Sequence, residues 1–255
     1  MAALLAASAH AAPADLTLRP QLERIAAGRV FFGHQSVGNN VIAGLRELAD
    51  SARVPLRIAE VKGGAPMAAR TFSHAFVADN GDPHRKLRSF EQALEAQPPA
   101  NFPDVAMLKF CYVDVKGNTD PVALFERYRA EIDALRKARP GVVIVHVTMP
   151  LWVDTGIIDH IGTIILGKAT PIRALNASRH RYNELLRQDY EGKEPFFDLA
   201  AYEATRADGT VTDVRYQGRR IPSLAKEWTT DGGHLNEAAR LRLAEVFLVM
   251  LAKIP

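Results

Sequence analysis

The chain has 255 residues, of which 47% are hydrophobic and 24% are charged. These proportions are typical of one globular α/β domain with a full core, and they exclude a disordered or fibrous protein. The 32 basic and 29 acidic residues are mixed along the sequence, whereas a nucleic-acid binder usually concentrates its positive charge on one face. We therefore expect no nucleic-acid partner.

The first residues have the composition of an export signal. Residues 1–12 are almost wholly small and apolar, and the small residues at their end resemble a signal-peptide cleavage site. No Lys or Arg precedes the apolar stretch, which is also too short to span a bilayer. We expect a truncated signal peptide over residues 1–12, a single domain over residues 20–255, and a secreted or periplasmic protein. A cytoplasmic location follows if the segment is not a signal.

Apolar runs rich in Val, Ile and Phe alternate with amphipathic stretches, as in βαβ units around a parallel sheet. The sequence predicts five strands, at residues 29–33, 56–61, 105–113, 142–147 and 196–199. It predicts four helices, at residues 37–48, 121–137, 174–188 and 236–251. We therefore expect an α/β fold: a three-layer α/β/α sandwich with a central, mainly parallel five-stranded sheet.

Two stretches interrupt this alternation. Residues 65–103 and 152–171 contain many Gly, Pro, His and Asp residues. Long irregular connections in compact domains are often binding loops. We expect both stretches to be loops of this kind, without regular strands or helices.

Ser36 lies where the first predicted strand passes into the first predicted helix. Residues 31–38 have the sequence Phe-Phe-Gly-His-Gln-Ser-Val-Gly. A serine at such a turn has its hydroxyl at the carboxyl edge of the sheet, and the N–H groups that begin the helix point towards a developing oxyanion. The alternative is that Ser36 is an ordinary helix N-cap.

Asp231 and His234 lie just before the last predicted helix and are separated by two glycines. This spacing lets the carboxylate fold back onto the histidine and fix its tautomer, so that the other ring nitrogen can take a proton from a hydroxyl. The alternative is a capping Asp beside a surface histidine.

Together these elements resemble the SGNH, or GDSL-like, hydrolase family, in which the serine follows the first strand and Asp-x-x-His begins the last helix. The order and positions match over residues 29–251. The resemblance implies a triad of Ser36, His234 and Asp231 and an acyl-serine intermediate without a cofactor. It also implies an esterase or acyltransferase that acts on an acylated, often acetylated, carbohydrate. The alternative is a non-catalytic carbohydrate-binding module on a degenerate SGNH fold.

The family builds its oxyanion hole from the serine N–H, a glycine N–H after the second strand and an asparagine side chain after the third strand. The resemblance assigns the glycine to Gly64, with Gly63 as the second choice. Val113 stands where the asparagine is expected, so a replacement donor is required. Tyr112 and Asn118 are the candidates nearest in sequence. Further amides close to Ser36 are Gln35, Asn39 and Asn40.

The segment around the serine also departs from the family, because Gly33-His34-Gln35-Ser36 replaces Gly-Asp-Ser. We expect four residues near the motifs to contact the substrate: His34, Gln35, Asp114 and Trp152. The aromatic face of Trp152 suits a pyranose ring, although core filling explains it equally well. Hydrogen bonding within its loop is an alternative role for Asp114.

Two other chemistries are disfavoured by the sequence. Cys111, the only cysteine, lies in a predicted buried strand, where a thiol is usually inert packing. Four residues are of a type that binds metals but lack the close pairing of a metal motif: His34, Asp159, His160 and His234. We therefore expect no metal.

Overall fold

A computed structural model describes residues 15–156 and 171–255 of the chain. The predicted signal peptide, most of the predicted loop at 152–171, and Asp159 and His160 lie outside these ranges. No helix within the described ranges is long and apolar enough to cross a membrane.

The described residues form a six-stranded parallel sheet with the strand order β2-β3-β1-β4-β5-β6. Its strands are β1 (Arg29–His34), β2 (Ile58–Glu60), β3 (Thr71–Phe76), β4 (Val105–Leu108), β5 (Val143–Val147) and β6 (Phe196–Phe197). A separate antiparallel hairpin is formed by β7 (Asp213–Tyr216) and β8 (Arg219–Pro222). The predicted α/β class with a mainly parallel sheet is confirmed, but the sheet has six strands where five were predicted.

Helices cover both faces of the sheet. They are α1 (Asp15–Ala27), α2 (Ser36–Ser51), α3 (Pro83–Glu95), α4 (Pro121–Ala138), α5 (Ile172–Tyr190), α6 (Leu199–Ala204) and α7 (Glu237–Leu251). One core cluster joins the sheet to α1, α2 and α7, and the other joins it to α3, α4 and α5. The three-layer sandwich is thus confirmed.

The sixth strand is β3, which lies in the stretch at 65–103 that was predicted to be irregular. The prediction was wrong because β3 buries polar side chains: Ser73 is 1% exposed and His74 is 5% exposed. Its alternating sequence therefore lacks the apolar run that marks the other central strands. The same stretch contains α3, which has Pro83 in its first turn and whose N-cap Asp82 accepts a hydrogen bond from the Arg85 N–H.

The segments that carry the two motifs come close together because α2 and α7 pack against each other on the same face of the sheet. A Cβ atom added to Gly44 of α2 would lie 2.6 Å from the Cβ of Ala244 and 2.7 Å from the carbonyl oxygen of Arg240, both in α7. The absence of a side chain at Gly44 therefore permits this approach. Since α2 begins at Ser36 and α7 begins three residues after His234, the helices bring both motifs to the carboxyl edge of the sheet.

Candidate active site

Ser36 is the first residue of α2, at the carboxyl end of the central strand β1. The cap position belongs to Gln35, whose backbone is extended (φ −136°, ψ −162°) and whose side chain makes no capping hydrogen bond. The alternative role of Ser36 as the N-cap is therefore not supported. Ser36 is half-buried, and its hydroxyl makes no hydrogen bond to a described residue.

His34 and Gln35, which were predicted to contact the substrate, both make hydrogen bonds within the scaffold beneath Ser36. His34 is fully buried; its Nδ1 donates to the Gln35 carbonyl at 2.9 Å and its Nε2 lies 3.1 Å from Nδ1 of His74. Burial lowers the pKa of His34 to about 3, so the ring is neutral at physiological pH. The amide nitrogen of Gln35 donates to the carbonyl of Ala78, which ties the start of α2 to the loop after β3.

Asp231 and His234 form a hydrogen-bonded pair within one tight turn. Oδ2 of Asp231 lies 2.5 Å from Nδ1 of His234, and Oδ1 accepts the N–H groups of Gly233 at 2.9 Å and His234 at 2.8 Å. The N–H of Gly233, the ring of His234 and the N–H of His234 hold the pKa of Asp231 well below its usual value. The carboxylate is therefore ionised, fixes the ring orientation and leaves Nε2 as the nitrogen that can meet a hydroxyl.

Asn40 links this turn to the helix that begins at Ser36. Its side chain donates to the Leu235 carbonyl at 3.3 Å and accepts the Leu235 N–H at 3.4 Å. Because Asn40 lies four residues after Ser36, the two side chains share a face of α2. The residue next to His234 is thus held one helical turn from Ser36, although no hydrogen bond joins Ser36 to His234. Sequence reasoning did not find this tie.

Tyr112 and Trp152 form an aromatic wall beside His234. The hydroxyl of Tyr112 lies 3.4 Å from Nε2 of His234, and the Tyr112 and Trp152 rings meet edge-on with their centroids 4.6 Å apart. A Cβ atom added to Gly233 would lie 2.4 Å from the Trp152 ring, so only glycine lets the turn approach this closely. Burial raises the pKa of Tyr112 to about 12, which keeps its phenol protonated as a hydrogen-bond donor.

The predicted oxyanion glycines lie one strand too far from Ser36. Gly63 and Gly64 follow β2, and β3 separates β2 from β1. The loop that adjoins Ser36 is the one after β3, where Ala78 has a left-handed backbone (φ +48°) and accepts the Gln35 amide. The inserted strand therefore separates Gly63 and Gly64 from β1, and the loop that contains Ala78 borders the start of α2 instead.

Asp114 is a structural residue and not the predicted substrate contact. It is fully buried and pairs with Nζ of Lys86 at 2.8 Å through both oxygens. It also accepts the N–H groups of Gly81 at 2.8 Å and Cys111 at 2.6 Å. Asp114 thereby joins the loop after β3 to the loop after β4. This is the loop hydrogen bonding that the sequence suggested as the alternative to substrate contact.

The other candidates after β4 lie on the surface or in the core. Asn118 is exposed in the loop before α4, and Val113 is 38% exposed with a side chain that cannot donate to an oxyanion. Cys111 is buried, in agreement with a packing role. Within residues 15–156 and 171–255, no three His, Cys, Asp or Glu side chains come together as a metal site requires.

An apolar groove of about 380 Å³ opens beside the aromatic wall, and Tyr112, Trp152, Ile172 and Leu175 contribute to its lining. Arg179 of α5 also lines it, although its side chain is 2% exposed. Sequence reasoning missed Arg179. The available signal was its position in α5, where it shares the buried face with Tyr182 and Leu186.

No protein-family profile matches the sequence, and no curated protein does. Among solved structures, a Streptococcus pneumonia protein described provisionally as a platelet activating factor aligns with a TM-score of 0.51 at 12% identity, covering 92% of each chain. A peptidoglycan O-acetylesterase aligns with a TM-score of 0.42 at 15% identity, and the alignment covers 71% of this chain and 45% of the esterase chain. The periplasmic domain of a Salmonella ser. Paratyphi A lipopolysaccharide acetyltransferase aligns with a TM-score of 0.41 at 13% identity. This alignment covers 87% of this chain and 82% of the acetyltransferase domain. At these identities the first similarity supports the α/β fold alone.

Proposed function

We propose that this chain is a serine esterase of the SGNH kind, which cleaves or transfers an acyl group, in the first instance acetyl, on a carbohydrate or similar ester. The observation that carries the proposal is the Asp231–His234 pair, whose turn is tied through Leu235 to Asn40 of α2, one helical turn after Ser36. An oriented histidine beside a serine at a helix N-terminus suits nucleophilic catalysis. The composition of residues 1–12 supports action outside the cytoplasm.

In this mechanism the Ser36 oxygen attacks the ester carbonyl carbon while Nε2 of His234 takes the hydroxyl proton. Asp231 accepts from Nδ1 and stabilises the imidazolium that forms. The alcohol oxygen then leaves with the proton from Nε2, and the acyl group remains on Ser36. Water, or a second hydroxyl, attacks the acyl-serine and gives its proton to Nε2 of His234. His234 returns this proton to the Ser36 oxygen as the acid or the new ester is released.

Three groups are proposed to stabilise the oxyanion. The Ser36 N–H belongs to the unpaired first turn of α2, and the backbone after β3 at Ala78 supplies a second N–H. The phenol of Tyr112 supplies the side-chain donor that Val113 cannot. Its protonated state and its place beside His234 support this role.

Covalent labelling tests the nucleophile directly. We expect a fluorophosphonate probe to modify Ser36, as located by peptide mass spectrometry, and the His234→Ala variant to react far more slowly because it lacks the base. Ser51→Ala, at the exposed other end of α2, is the matched control and should label like the wild type. Labelling at another residue, or none in the folded wild type, would contradict the assignment.

The second candidate function, a carbohydrate-binding module, is favoured by two observations. The Ser36 hydroxyl makes no hydrogen bond to His234, and Val113 replaces the expected donor. On this reading an acetylated oligosaccharide binds with equal affinity to the wild type and to Ser36→Ala and is recovered unhydrolysed. Release of acetate from the same oligosaccharide by the wild type decides against it.

A further inference from the structure

The groove beside Tyr112 and Trp152 has an unbalanced charge. Its lining includes two basic residues, Lys116 and Arg179, and no acidic residue within the described part of the chain. The rest of the lining is mainly apolar or aromatic. A cation beside an apolar surface attracts a ligand that combines an apolar body with a negative charge.

Arg179 is the stronger of the two cations because it is held in place and shielded from water. Its Nε donates to the Tyr112 carbonyl at 2.8 Å, and its Nη1 donates to Oδ1 of Asn176. Nη2 has no hydrogen-bond partner among the described residues, and no described carboxylate lies within 4 Å of the guanidinium. Buried charges are normally paired, so a ligand carboxylate would complete this site. A guanidinium binds a carboxylate with a fixed geometry.

The position of the groove identifies the part of the substrate that it meets. In the proposed mechanism, Nε2 of His234 gives its proton to the departing alcohol oxygen, so the alcohol must lie beside Nε2. Tyr112 lies at Nε2 and also lines the groove. The groove therefore extends from the side of the histidine where the alcohol leaves.

We propose that this groove binds the alcohol half of the substrate and that this half carries a carboxylate, which Arg179 and Lys116 recognise. The assignment of the bound group as the alcohol half of an ester rests on the proposed esterase function. The binding of a carboxylate in the groove can be tested without catalysis. A ring that bears both a hydroxyl and a carboxylate places its apolar face against Trp152 and its charge against Arg179.

Calorimetry with 3- and 4-hydroxybenzoate, each compared with its methyl ester, tests the site independently of turnover. A charge-assisted hydrogen bond contributes enough to favour the better carboxylate over its ester by about tenfold or more in Kd. We expect Arg179→Gln to abolish this preference and Lys116→Gln to reduce it several-fold. Lys137→Gln, exposed at the end of α4 on the opposite edge of the sheet, should retain it.

Equal affinity for acid and ester, binding of neither, or a preference that survives in both groove variants would overturn the inference. Arg179→Gln is checked by circular dichroism; if it does not fold, exposed Lys116 carries the test. Hydrolysis of 3- and 4-acetoxybenzoate separates this inference from the proposed function. Carboxylate preference in binding without Ser36-dependent turnover would refute the esterase and leave the anion site standing.

Discussion

Asp231 is half exposed, with 50% of its side chain accessible. Its pair with His234 therefore contributes little to the stability of the fold, and its main effect is to orient the His234 ring. In Asp231→Asn, the amide would donate to Nδ1 of His234 and leave Nε2 carrying the proton. That tautomer cannot accept from Ser36. We expect kcat for an acetyl ester to fall by a factor on the order of 10²–10⁴ with an unchanged melting temperature. A loss below about twofold would show that another group orients His234.

Tyr112 is proposed to replace the missing asparagine donor. In Tyr112→Phe, we expect kcat to fall by about 10²–10³ with little change in KM, because the oxyanion develops only after binding. The ring contacts with Trp152 and His234 remain, so the fold is preserved. A rise in KM alone would instead limit Tyr112 to its place in the wall of the groove.

Glu203 is the clearest source of pH-dependent stability in the described core. Its Oε2 accepts the Leu151 N–H at 2.6 Å, and its Oε1 has no partner among the described residues. Burial raises the pKa of Glu203 to about 8 from an ordinary value of 4.5. Between these values the folded protein retains a proton that the unfolded chain has lost, so stability falls as pH rises, by up to about 1.4 kcal/mol per pH unit.

Urea unfolding between pH 5 and 8 checks this prediction. Glu203→Gln retains an oxygen for the Leu151 N–H but cannot ionise, so its free energy of unfolding should decline less over this range than that of the wild type. Glu95→Gln, on the exposed side of α3, should follow the wild type. Parallel curves for Glu203→Gln and the wild type would refute the role of burial.

The contact between α2 and α7 sets the distance between the two motifs. Gly44→Ala would place a methyl group against Ala244 and the Arg240 carbonyl, and we expect it to destabilise the fold by about 1–3 kcal/mol and to lower activity. Gly141→Ala is the matched control, since nothing lies within 4 Å of its added Cβ. An alanine that stabilises α2 at position 44, as helix propensity alone predicts, would show that the helices can separate freely.

Strands with continuous apolar runs were predictable, and β3, whose burial is partly polar, was not. The strand predicted at residues 142–147 matches β5 to within one residue, because every position from Val143 to Val147 is apolar except His146. His146 is itself satisfied in the core by the hydroxyl of Tyr128 at 2.8 Å. In β3, by contrast, His74 is paired with His34 from a different strand, a compensation that no local window contains.

Over the whole molecule, chain order does not reveal sheet order. The pairing of Asp231 with His234 was predictable because it is local, whereas the choice of Gly64 assumed that the second strand in sequence lies next to β1. The strand next to β1 on that side is β3, so the loop that borders the start of α2 is the one that contains Ala78 and not the one that contains Gly64. Arg179 and Asn40 reach the site only through helix packing, so their roles could not be predicted from the sequence.

Acetyl-ester hydrolysis by Ser36→Ala, compared with the wild type, tests most directly whether Ser36 is the nucleophile. We expect kcat/KM to fall by about a thousandfold or more, while Ser51→Ala keeps the wild-type rate and all three proteins share one melting temperature. Equal rates for Ser36→Ala and the wild type would exclude Ser36 as the nucleophile for that ester.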